Sequence, residues 1–245
     1  MQPKRDSLFS DVSRAVGDFN FGEQTAEVFD DMLDRSVPMY RELQRMIGEI
    51  ACDFAVEGTN VYDLGCSTGM TLETLHLAVG PGTTLIGFDY SEPMLERARQ
   101  RFRSEIASGR IRLDHADLNR GCVIENASVA VLNLTLQFIR PLYRDSLIRQ
   151  IVSGLNDNGV LILVEKVLAT DSTINRLFIK FYYDMKRRNG YDEMEISQKR
   201  EALENVLIPY RVEENVELLK RCGFREVETF YRWYNFCGFL ALKRG

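Results

Sequence analysis

The run Asp63-Leu64-Gly65-Cys66-Ser67-Thr68-Gly69 closes a short apolar segment with an acid and follows it with two glycines. Where a strand gives way to a helix, such a turn lets the backbone approach a ligand, and open α/β sheets bind beyond their strand ends at such places. A second acid, Asp89, stands 24 residues after Gly65, close to the roughly 20 that separate such a turn from the carboxylate that accepts ribose hydroxyls. The pair points to a bound nucleoside.

The phosphate-binding pattern G-x-G-x-x-G is not met, because Ser67 holds the second glycine position and Gly69 is out of register. A pyrophosphate therefore lacks its usual place against the helix N-terminus. S-adenosyl-L-methionine has no phosphate. It presents an amino acid, a sulfonium and an adenosine, for which a D-x-G-x-x-x-G turn is enough. Cys66 in that turn reads as a small packed residue, since no histidine lies near it in the motif to lower its pKa. Lys186-Arg187-Arg188 reads as an exposed basic turn, and Phe181-Tyr182-Tyr183 and Trp233-Tyr234 as core or subunit contacts rather than stacking platforms for bases.

The elements that position these residues alternate. Thr59–Leu64 and Thr83–Asp89 read as strands, with a helix over Thr71–Val79 between them: a crossover unit with parallel strands. A helix over Glu92–Ser104, strands over Ile111–His115 and Val129–Leu134, a helix over Tyr143–Leu155, a turn at Asn156–Gly159 and a strand over Val160–Val164 repeat the rhythm. Lys166–Val212 interrupts it as a helical, charged and aromatic insertion. A helix over Glu213–Cys222 and a hairpin of Val227–Trp233 with Phe236–Leu242 complete the chain. The expectation is a single domain with helices on both faces of the sheet. It divides into a helical accessory segment at 1–50, a nucleoside-binding core at 51–165, the insertion at 166–212, and a final helix and hairpin at 213–245.

Composition narrows the field. Of 245 residues, 45% are hydrophobic and 27% charged, the balance of an ordinary globular chain. Thirty-one Lys and Arg against 36 Asp and Glu give a net charge of −5, the wrong sign for a protein that wraps nucleic acid. Five scattered cysteines without a C-x-x-C pair and only two histidines, His76 and His115, argue against a disulfide framework and a metal site. No apolar run reaches the roughly 18 to 20 residues that span a bilayer, and Met1–Asp11 lacks the apolar stretch of a signal peptide. The cytoplasm is the expected location.

The chain resembles the class I methyltransferase superfamily, whose Rossmann-like, mostly parallel seven-stranded sheet ends in an antiparallel hairpin. Asp63 and Gly65 match its first motif, Asp89 in Gly87–Leu95 its second, Ala116-Asp117-Leu118 its adenine-contacting turn, and Asn133-Leu134-Thr135 the tip of its fourth strand. Outside that core, Arg35-Ser36-Val37-Pro38-Met39-Tyr40, Asn189-Gly190-Tyr191 and Glu195-Ile196-Ser197-Gln198-Lys199-Arg200 are similar to carboxy-S-adenosyl-L-methionine synthases, a match that runs nearly end to end. Asp30, where that family often has proline, and Tyr90, where asparagine is common, depart from its pattern.

The resemblance implies that S-adenosyl-L-methionine is the substrate, prephenate the carboxyl donor and carboxy-S-adenosyl-L-methionine the product. It implies a homodimer whose product passes to a tRNA carboxymethyltransferase acting on a wobble uridine, with no direct nucleic-acid contact by this chain. It implies nucleoside contacts from Tyr40, Gly65, Cys66, Ser67, Asp89, Tyr90, Asp117, Leu118 and Asn133, with Arg200 on the new carboxylate through a planar fork of hydrogen bonds. No protein base is assigned, since hydroxide expelled from prephenate would take the methyl proton, and the site must exclude water. The rival expectations are a conventional methyltransferase on a small molecule or tRNA, and a noncatalytic binding module.

Overall fold

The computed structural model describes residues 5–10 and 17–244; parts of the expected accessory segment and of the Met1–Asp11 leader reading lie outside them. The parallel core is built from β1 (Asn60–Leu64), β2 (Thr84–Asp89), β3 (Ile111–His115), β4 (Ala127–Asn133) and β5 (Leu155–Leu168). With the hairpin β7 (Glu226–Trp233) and β8 (Phe236–Leu242), the order is β3-β2-β1-β4-β5-β8-β7, and β8 lies antiparallel between β5 and β7. The seven strands of that path match the expected sheet. A two-residue β6 (Tyr210–Arg211), inside the expected helical insertion, adds to the end of β5.

The apolar runs of β4 and β5 are continuous because both faces of the sheet are covered. Alternate residues divide between two cores. Ala130, Leu132, Leu161 and Leu163 pack under α6 (Pro141–Gly154) and α9 (Val212–Cys222), whereas Val129, Val131, Val160, Ile162 and Val164 meet α2 (Tyr40–Phe54) and α3 (Met70–Ala78). The period of two then places Lys166 on the same face as Ile162 and Val164, where the strand runs out toward the ligand side. Asn156–Gly159, expected as a turn before the strand, is instead a bulge within β5: the pairing steps from Ala127↔Leu155 to Val129↔Val160. The expected helix at Glu92–Ser104 breaks at Phe102 into α4 (Glu92–Arg101) and α5 (Arg103–Ala107).

Two accessory parts meet above the strand ends. α1 (Glu23–Ser36) buries Val28, Phe29 and Met32 against Met94 of α4. The insertion folds as α7 (Ser172–Arg188) and α8 (Glu193–Leu203), the latter opened by a capping box between Asp192 and Glu195. Arg35 Nε donates to the Asn189 carbonyl at 2.9 Å, Asn189 Nδ2 returns a bond to the Arg35 carbonyl at 2.9 Å, and Tyr191 Oη donates to Asp6 Oδ2 at 2.5 Å. Phe19 N–H donates to the Ala202 carbonyl at 2.9 Å. The chain start and the insertion thus form one cap.

Candidate active site

The turn after β1 is shaped by its glycines. Gly65 (φ +88°) and Gly69 (φ +89°) occupy the left-handed region, and a Cβ on either would lie 2.5 Å from Thr135 or from Phe102. The turn is held to the neighbouring strand because Gly65 and Cys66 N–H both donate to the Phe88 carbonyl, at 2.7 and 2.9 Å. Asp89 completes it: Oδ2 accepts Ser67 N–H at 2.9 Å and Oδ1 accepts Ser91 N–H at 2.8 Å. Each oxygen keeps a lone pair for a ribose hydroxyl. Burial raises the Asp89 carboxyl despite these bonds.

Behind the turn lies a row of acceptors. Gln44 Nε2 donates to Tyr40 Oη at 2.8 Å and to Thr71 Oγ1 at 3.1 Å, and Asn133 Nδ2 donates to Thr71 Oγ1 at 3.0 Å. Gln44 Oε1, Asn133 Oδ1 and Asp63 Oδ2 are buried without a hydrogen-bond partner among the described residues. Buried acceptors in that condition call for a donor, and a cationic amino-acid ligand would supply one. Asp63 is 1% exposed, and burial together with the Asp89 charge pushes its carboxyl up to about 8, so a nearby cation would favour its ionised form. Burial, then the charges of Asp63 and Asp89, push the Cys66 thiol well above its ordinary value; it is a packed residue, not a thiolate nucleophile.

The mouth is aromatic. Phe21 packs edge-on against Phe19, Phe138 and Tyr90 with centroids 5.0, 5.1 and 6.1 Å away. Tyr90 is 52% exposed. Asp117 caps a single helical turn, Leu118–Arg120, by accepting Asn119 N–H at 3.0 Å. Neither histidine lies in the pocket wall: His115 Nε2 is 2.7 Å from the Tyr90 carbonyl oxygen on the outside, and His76 is 4.0 Å from Glu105.

Tyr40, Gly65, Cys66, Ser67, Asp89, Tyr90, Asp117, Leu118 and Asn133 all line this one pocket. Arg200 does not: in the single chain it is exposed, because α8 turns Ile196, Lys199 and Leu203 inward and the residue after Lys199 outward. The sequence leaves open whether Arg200 serves a nucleoside in its own chain or in a second copy; the helical phase turns it away from the pocket of its own chain. Lys199 enters the wall in its place, 6% exposed, with Lys166 from the end of β5. Sequence reasoning passed over both lysines, and over Gln44 and Thr71. Asp30, the departure from proline, accepts Thr68 Oγ1 at 2.5 Å and an Arg101 guanidinium, clipping α1 to the turn and to α4.

The arrangement can hold a nucleoside with a positively charged amino-acid arm in a pocket walled largely by apolar and aromatic side chains, and it offers lysines where an anion would approach. Among the described residues no helix is long and apolar enough to cross a membrane, and no cluster of three potential metal ligands occurs. Comparison with known proteins places the geometry in context. Residues 61–159 match the family described as "Methyltransferase domain". The chain is 56% identical over 240 residues, 98% of its length and 99% of the relative's, to a carboxy-S-adenosyl-L-methionine synthase of Methylococcus capsulatus. It is 44% identical over 226 residues, 92% of its length and 93% of the relative's, to the enzyme of the same name from Nitratiruptor sp.. Among solved structures, an O-methyltransferase family protein from Burkholderia thailandensis superposes with a TM-score of 0.66 at 16% identity, over 95% of this chain and 66% of that one. Human N-acetylserotonin methyltransferase in complex with SAM gives 0.60 at 17% identity; the match spans 91% of this chain and 56% of the human one. Those two likenesses carry the fold.

Proposed function

The chain belongs to the carboxy-S-adenosyl-L-methionine synthase family, and from that premise we propose that it carboxylates the S-methyl group of S-adenosyl-L-methionine with prephenate as donor. One observation supports this reading most. The two sequence blocks that distinguish the family outside its methyltransferase core meet at the pocket, where Lys199 Nζ of the second donates to Ser36 Oγ of the first at 3.2 Å and Tyr40 lines the same wall.

The reaction balances without a protein base. Prephenate loses carbon dioxide and hydroxide and becomes phenylpyruvate. The hydroxide takes a proton from the S-methyl carbon and leaves as water, and that carbon's electron pair forms the new bond to carbon dioxide. Asp89 would hold the ribose, Asn133, Gln44 and Asp63 would face the amino-acid arm, and the cap would keep bulk water from the carbanionic carbon. The position of both histidines outside the pocket agrees with a proton acceptor that comes from the donor.

Arg200 would bind the new carboxylate from a second copy of the chain, since its own helix directs it away from its own pocket. A homodimer is supported by the exposed apolar side chains of α7 and the hairpin tip, Ile174, Leu177 and Tyr234. The product would pass in the cytoplasm to a tRNA carboxymethyltransferase. The experiment is to incubate the protein with S-adenosyl-L-methionine, with and without prephenate, and weigh the nucleosides. A prephenate-dependent gain of one carbon dioxide supports the proposal; S-adenosylhomocysteine as the sole product, or no change, overturns it.

A further inference from the structure

Resting on that reading, we infer that Lys166 and Lys199 form the subsite that holds the carboxylates of the dianionic donor, at the end of the pocket opposite the ribose acid Asp89. The two ammonium groups reach the same pocket from different elements, the C-terminal half of α8 and the end of β5. Lys199 is 3.8 Å from Asp6 Oδ2, but that oxygen already accepts the Tyr191 hydroxyl at 2.5 Å. Lys166 has no carboxylate partner among the described residues; its ammonium stands 4.9 Å from the centroid of the Tyr182 ring. A half-buried ammonium without a counter-ion is unfavourable, and an incoming carboxylate relieves it.

The surroundings enlarge the positive field. Lys186 lies 5.7 Å from the Tyr182 centroid and 5.0 Å from that of Tyr191, and the Arg35 guanidinium lies over the Tyr191 ring, 3.9 Å from its centroid. Asp31 is taken by Arg35 at 3.3 Å, Asp6 by Tyr191 and Lys199, and Glu195 accepts the Asp192 N–H in its capping box. Asp89 lines the same pocket from the end of β2, three strands away from β5 in the sheet, with Asp63 buried near the end of β1 between them. The pocket is therefore dipolar. Its acidic end suits a sulfonium nucleoside and repels a dianion, and its basic end suits a dianion and would repel the nucleoside's ammonium. This polarity fixes how the two substrates lie relative to each other. Burial pushes both wall lysines down to about 8, a shift that anion binding would reverse.

The test is calorimetry of prephenate binding to the protein loaded with unreactive S-adenosylhomocysteine, for wild type, Lys166→Met, Lys199→Met and Lys166→Arg. The Met variants should bind prephenate about 10- to 100-fold more weakly, keep their affinity for S-adenosyl-L-methionine within about twofold, and leave Lys166→Arg close to wild type. Unchanged prephenate affinity in the Met variants overturns the subsite. Should Lys199→Met fail to fold, Lys166→Met decides, because Lys166 holds no ion pair that folding needs. If wild type binds prephenate in a lysine-dependent way yet makes no carboxylated product, the proposed reaction falls and the subsite stands. Product formation with lysine-independent binding gives the reverse, and a wild type that binds no prephenate overturns both.

Discussion

Lys199 and Arg200 are consecutive on α8, roughly 100° apart around the helix, which leaves the lysine buried in the pocket wall and the arginine exposed. For an arginine so placed to bind the new carboxylate as proposed, a second molecule must bring its own pocket to it. Arg200→Ala should leave S-adenosyl-L-methionine affinity unchanged and lose retention of the carboxylated nucleoside. When Arg200→Ala and Asp89→Ala chains, each inactive alone, are mixed and allowed to exchange, about a quarter of wild-type turnover should return, since half the dimers then hold one complete site. A mixture as silent as its parents places the arginine in its own subunit.

Donor binding should weaken with rising pH. Burial holds Lys166 and Lys199 down to about 8, and burial with repulsion from both of them holds Lys186 down to about 7. The carboxylates facing this group are Asp6 and Glu195, and Arg35 adds a fixed charge. As these amines lose protons, attraction for a dianion falls, so the KM for prephenate should climb between about pH 7 and 9. An anion that restores the ammonium form should draw protons onto the protein. Calorimetry at pH 8 in two buffers of different ionisation heat should therefore register net uptake, and the climb should shrink in Lys166→Arg. A flat KM profile would falsify the charge argument.

Asp30 ties three elements together through Thr68 and Arg101. Both ion-pair partners are partly solvated, so the loss on Asp30→Ala should be modest, about 1 kcal/mol. Its mark should be positional: affinity for S-adenosyl-L-methionine falls several-fold as the turn after β1 loosens, and Thr68→Val adds little on top of Asp30→Ala. Urea unfolding and titration of the double-mutant cycle measure both. Fully additive affinity losses in the cycle would show the two side chains acting separately.

Gly69→Ala should destabilise the fold by about 2 to 4 kcal/mol, combining a left-handed backbone with a collision against the Phe102 ring. Phe102→Leu should return only the steric share in the double variant, leaving the backbone share. Denaturant midpoints read this directly; complete recovery would remove the backbone contribution.

The sheet was legible in the sequence because β1, β2 and β4 are buried on both faces, and β1 and β2 carry an acid at or next to their last residue, so pattern and turn chemistry agree there. The nucleoside wall was legible for the same reason, since Gly65 and Asp89 are demanded locally by their turns. The basic end was not. Lys166 looks like the charged residue that ends an apolar strand, and only the period of two, carried one step past Val164, places it inward. Lys199 is announced by Ile196, Ala202 and Leu203 at helical spacing, a signal outweighed by the resemblance that singled out its neighbour. β6 is too short to leave a pattern, and the bulge at Asn156–Gly159 imitates a turn because it uses turn residues, with Asn158 at φ +63°.

Asp6 meets Tyr191 across 185 positions of chain, and Arg35 meets Asn189 across 154. The roof over the pocket is therefore joined from two segments that lie on either side of the nucleoside-binding core in sequence. On the ribosome the α1 segment emerges early and must wait for α8 before it has anything to close against. A nascent chain halted after β5 would carry the nucleoside wall with no roof, so competence to carboxylate must wait until α8 has been made.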